Sequence, residues 1–135
     1  MIRLKELMEE EYKALMELLL LLKDQYFILL SGESIPLDMI TENINNANKL
    51  IAKKELVRRE YQKENNINLQ GVLKENIEID KQYKDIKALI YELQTQKEAN
   101  EQVLKQRLNF TNKILTLINP NRSVSTYDAR GNFRR

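Results

Sequence analysis

The stretch MEEEYKALMELLLLLKDQYFILL, residues 8–30, decides how this chain folds. Within it Met8, Tyr12, Leu15, Leu19, Leu22, Tyr26 and Leu29 recur at steps of four and three. That spacing keeps side chains on one helix face that meets a partner helix. The second half is greasier than one seam needs, because residues 18–22 are all leucine and 26–30 form another apolar run. Apolar side chains there cover more than half the circumference, so one partner helix cannot hide them. Two packed partners can, or one partner and a bound client.

Working outward, helix one is expected over residues 2–30, with Ser31 and Gly32 stopping it and Gly32 suited to a left-handed cap. Glu6, Glu9, Glu10 and Glu11 crowd its start, where the helix dipole favours anions. Adjacent residues on a helix point in different directions, so these glutamates do not suggest a metal site. The next start signal is Ser34-Ile35-Pro36-Leu37-Asp38, since proline loses nothing in a first helical turn. Helix two, expected over 36–64, carries the stripe Leu37, Ile40, Ile44, Ala47 and Ile51, which Leu50, Val57 and Tyr61 continue. Its other face is polar, with Glu42, Asn45, Asn46, Lys49, Lys53, Arg59 and Lys63. It is a one-sided cover for helix one, and the short link makes the pair antiparallel.

Periodicity fails after residue 64, where asparagines and Gly71 read as a second connection over about 65–79, with a short helical turn conceivable in 72–79. Helix three is expected over 80–119 with Asp80 as its cap, and Asn119-Pro120 ends it. Its first stripe is Tyr83, Ile86, Ile90 and Leu93. Its later stripe is Leu104, Leu108, Leu115 and Ile118, flanked by Val103, Phe110, Ile114 and Leu117. Between them residues 94–102, QTQKEANEQ, offer almost nothing to bury, so the helix is expected to pack at both ends and to be weakly held between. Residues 120–135 show no stripe and carry Arg122, Arg130, Arg134 and Arg135 against the single acid Asp128. They read as a flexible arm.

The fold expected is therefore all-α: an elongated antiparallel three-helix hairpin or coiled-coil bundle over 1–119, with a flexible tail over 120–135. Composition agrees, with 42% hydrophobic and 31% charged residues but only 3 Gly and 2 Pro. It also excludes much chemistry. There is no Cys, hence no disulfide framework or thiolate nucleophile, and no His, the commonest general base near neutral pH. Three isolated glycines cannot make a phosphate loop. An enzyme is disfavoured, and no cofactor or metal is expected. A net charge of +2 and only four arginines on a tail argue against nucleic acid. The leucine run is too short and too closely bracketed by Glu17, Lys23 and Asp24 to cross a membrane, and the acidic start is unlike a signal peptide. The expected compartment is the cytoplasm.

The apolar excess has a plain reading, complete burial in a bundle, and a sharper one, a groove for an amphipathic client helix. Pattern alone favours the first, and the second enters through a resemblance. The end of helix three reads LNFTNKIL (108–115), followed after a break by TYDARG (126–131). With the leucine-rich first helix bearing Glu10 and Tyr12, the Gly32 turn and Leu37-Asp38-Met39-Ile40-Thr41, this chain resembles the FlgN family of flagellar type III export chaperones. The resemblance implies a cytosolic, ATP-independent chaperone for the C-terminal helices of FlgK and FlgL, the hook–filament junction proteins, delivering them to the export gate protein FlhA. It assigns Val103, Leu104, Leu108, Ile114, Leu115 and Ile118 to client binding, and Tyr127 to gate docking. The alternative is a structural coiled-coil protein whose stripes serve self-association, and a homodimer through helix one stays open.

Overall fold

The computed structural model describes residues 1–118 and the backbone of residues 126–127 and 133–134. The elements are α1 (Ile2–Ser31), α2 (Ser34–Glu64), α3 (Leu69–Glu75), α4 (Ile77–Ile118), β1 (Thr126–Tyr127) and β2 (Phe133–Arg134). The two strands pair antiparallel, Thr126 opposite Arg134 and Tyr127 opposite Phe133. That ladder is the one part of the expected flexible arm that falls within the described residues.

Helix α1 is the core of the molecule. It supplies ten buried residues, against two from α2 (Ile40 and Ile44) and five from α4. It packs against both α2 and α4, while α2 and α4 make no comparable contact with each other. The greasy face of α1 thus receives two partners, one on each flank. Cover is incomplete near its end: Leu18, Leu19 and Leu22 are buried, but Leu20, Phe27 and Leu30 are more than half exposed.

The turn between α1 and α2 forms as its residues dictate. Gly32 sits at φ 79°, a left-handed position that glycine occupies without strain, and its N–H reaches the carbonyl of Ile28 at 3.1 Å. Helix α2 starts at Ser34, two residues ahead of expectation, with Pro36 still in the first turn, where a missing N–H is free. Its polar face, from Glu42 to Lys63, lies exposed.

The second connection is more ordered than its asparagines suggest. Asn68 caps α3 by accepting from the N–H of Gln70 at 3.2 Å. Asn76 then caps α4, accepting from the N–H groups of Glu78 and Ile79, both at 3.1 Å. The cap is therefore Asn76 rather than Asp80, and α4 begins three residues earlier than expected. Asp80 instead sits inside the first turn and pairs with Lys84 at 2.9 Å. Within α4 the inward residue is Leu89, not Ile90, which is 41% exposed. Leu89 and Ile90 both fit steps of three and four between Ile86 and Leu93, so the side on which α1 lies decides between them.

Polar contacts set the register of the three long helices. At one end Lys5 pairs with Glu78, and Gln82 donates to the carbonyl of Lys5 at 3.1 Å, so α4 runs parallel to α1. The hydrogen bond and charge of Lys5 hold the Glu78 carboxyl below its ordinary value, a stabilisation present above the usual carboxylate range and lost as pH falls through the lowered one. Between α1 and α2, Glu11 is buried and accepts from Nε of Arg58 at 2.6 Å, while Glu10 meets Lys54 at 3.6 Å. Glu9 points elsewhere, toward Lys13 on its own helix. The three adjacent glutamates diverge, as their spacing requires.

The Glu11–Arg58 pair is one place where a single change leaves a charge without its partner. Glu11→Ala leaves a guanidinium unpaired in a mostly buried place, and urea unfolding should show a loss of about 2–3 kcal/mol. Replacing both, Glu11→Met with Arg58→Leu, should cost under about 1 kcal/mol, because the unpaired charge goes with its partner.

Candidate functional site

Helix α4 has 42 residues and α1 has 30, and they start level and run the same way. At about 1.5 Å per residue α4 must outrun α1. The point where it does so is marked. Arg107 donates to the carbonyl of Leu29, and a methyl group placed on Gly32 would lie 2.6 Å from its guanidinium. A cation on the last carbonyls of a helix is favoured by both hydrogen bonding and the dipole. Arg107 meets Leu29, two residues short of the end of α1, so roughly nine residues, 110–118, extend about 13 Å past it.

The polar middle of α4 is not the loose region expected of it. Asn100 is buried, donating to the carbonyl of Leu22 and to Oε1 of Gln25, both at 2.8 Å, and accepting from Gln96 at 3.0 Å. Both its N–H donors and its carbonyl are engaged, so the polar seam costs little and fixes one register. Residues 94–102 therefore clamp α4 to α1, and the free portion of the helix begins only after Arg107.

The inward face of α4 continues into that free portion. Steps of three and four from Asn100 give one row, Val103, Arg107, Phe110, Ile114 and Leu117, and an adjacent row, Leu104, Leu108, Thr111, Leu115 and Ile118. The same side of the rod that packs on α1 thus runs on after α1 has turned away. Exposure varies along it and is highest at the end. Val103, Leu108 and Leu115 are half-buried and Ile114 is 39% exposed, while Phe110, Leu117 and Ile118 reach 65%, 78% and 76%. Of the residues singled out from sequence, Val103, Leu104, Leu108, Ile114, Leu115 and Ile118 share this face. Tyr127 has its backbone in β1, and its side chain lies outside the described residues.

Spacing alone ranks Phe110 and Leu117 as flanking positions, yet they are among the most exposed apolar side chains on the face. Nor does spacing single out Arg107 and Asn100, whose roles depend on which carbonyls of α1 lie beside them. At the same end of the molecule the α1–α2 turn exposes Phe27, Leu30, Ile35 and Met39. Apolar surface gathered in this way at one end of a molecule marks an interaction site more often than single exposed side chains do.

Taken together, these features define an all-helical protein whose longest helix carries an apolar face past the end of its own core. Among the described residues no helix is long and apolar enough to cross a membrane. The sequence model of one family, described as FlgN protein, matches residues 1–135, the whole length of this chain. The chain belongs to the FlgN family, a family of flagellar chaperones. No curated protein and no solved structure matches it.

The face beyond Arg107 should be dispensable for folding. The double variant Phe110→Ser with Leu117→Ser should unfold in urea within about 0.5 kcal/mol of the parent, because both side chains are already largely in water. Leu93→Ala, inside the seam, should lose about 2–5 kcal/mol in the same measurement.

Proposed function

We propose that this protein is a cytoplasmic, ATP-independent export chaperone. It shields the C-terminal helices of flagellar hook-associated proteins of the FlgK and FlgL kind and delivers them to the export gate protein FlhA. The observation that carries the reading is the overhanging face of α4 in a chain of the FlgN family. A subunit that must later polymerise has an apolar helix face to hide, and covering it for a time needs a complementary stripe and no chemistry.

The physics of release fits as well. Among the described residues the overhang has neither α1 nor α2 beside most of its length, and β1 is the element that meets this helix after them, so it presents one side of a seam and leaves the client's opposite side uncovered. An interface of that size gives modest affinity, and release then requires no energy source. Tyr127, in the short ladder after α4, is the residue we assign to gate docking.

The double variant Phe110→Ser with Leu117→Ser should bind a FlgL C-terminal helix at least about tenfold more weakly by calorimetry, since two anchors are truncated. Unchanged affinity would remove the overhang from the client site. Tyr127→Ala should keep client affinity and bind the cytoplasmic part of FlhA more weakly, and equal gate affinity would remove Tyr127 from that role.

A further inference from the structure

Three residues near the end of α4 are half-buried although no long helix lies over them. Beyond Arg107 these are Leu108, Asn112 and Leu115, while every other residue from 109 to 118 is exposed. They recur at steps of four and three, so they form one row. Arg107 marks the side of α4 that faces α1. At about 100° per residue the row lies about 80–140° round the helix from that side. Phe110, Ile114 and Leu117 lie up to about 80° round in the opposite direction. The overhang therefore has two distinct sides.

Among the described residues the long helices do not account for the covered side. Helix α1 faces another way, α2 makes no comparable contact with α4, and α3 precedes α4 at its far end. The remaining element that meets α4 is β1. It follows α4 through the seven residues 119–125. Such a link spans at most about 25 Å, against about 15 Å of helix from Ile118 back to Leu108. A ladder with two residues on each strand is not stable alone in water and needs a surface to pack on. Leu108 and Leu115 offer apolar surface. Asn112 between them carries donors and an acceptor for the unpaired backbone groups of a strand edge.

We propose that the β1–β2 ladder is the resident cover of the Leu108–Asn112–Leu115 row. One side of the overhang is then held by the chain's own C-terminal segment, and the side with Phe110, Ile114 and Leu117 is open. This division of the face rests, for its open half, on the helix-binding reading above and narrows it: the client's anchors are Phe110, Ile114 and Leu117, while Leu108 and Leu115 are already engaged. A client seated on the row would first have to displace the ladder, which lowers its affinity there.

The chain has no cysteine, so introduced pairs report without background. Asn112→Cys and Phe110→Cys, each combined with Thr126→Cys in the full chain, place thiols at nearly equal distances along the sequence, and an unheld tail would close both loops at nearly the same rate. With a short bifunctional thiol reagent, the Asn112 pair should link within one chain at least about tenfold faster than the Phe110 pair. Equal rates would overturn the proposal, and links between chains in place of links within one would overturn it in favour of a second copy. Adding Leu108→Ser with Leu115→Ser should bring the two rates to within about twofold. A preference that survives those changes would overturn the row as the seat of the ladder. Saturating the Asn112 pair with the FlgL C-terminal helix should leave its linking rate within about twofold, because client and ladder use different sides. Loss of that link would overturn the division and give the row to the client. Failure of the helix to bind at all would overturn the helix-binding reading and leave the seat of the ladder standing on the linking rates.

Discussion

The whole arrangement depends on the excess of apolar surface on α1. Five consecutive leucines cannot all face one neighbour, because successive side chains on a helix are about 100° apart. The molecule meets that constraint by placing α2 and α4 on the two flanks of α1 and keeping them apart from each other. A helix covered on two flanks is held firmly. A flanking helix covered by one neighbour need match it only over the neighbour's length.

That asymmetry explains why the site is where it is. Helix α4 is bound to α1 through a single seam, so when α1 turns at Gly32 the seam loses its other half at once. Nothing in the local sequence of α4 marks the change, since apolar residues recur at the same steps on either side of Arg107. The same pattern that is core before that residue is surface after it.

Polar residues inside the seams do different work from the leucines. Apolar contact holds the helices together but tolerates sliding by a heptad, whereas Asn100, Gln82 and the Glu11–Arg58 pair each find partners in one alignment. The position of the overhang depends on that alignment. A slip of α4 by one heptad would shorten or lengthen the free face by about 10 Å. Low apolar content in residues 94–102 does not mean weak attachment, because a buried amide with both donors and its carbonyl engaged attaches as well as it discriminates.

By itself the sequence determined the helical class, the three long rods, the turn at Gly32 and the row of apolar residues at the end of the last rod, because each of these is written in local spacing and cap chemistry. The FlgN resemblance was also legible there, in LNFTNKIL and TYDARG. Tertiary structure alone decided that Asn76 rather than Asp80 opens α4, that Leu89 rather than Ile90 faces inward, and that Phe110 and Leu117 stand in water. The physical reason is common to all three. Spacing says which side chains share a face, but whether a face is buried depends on how far the neighbouring helix extends and in which register it lies.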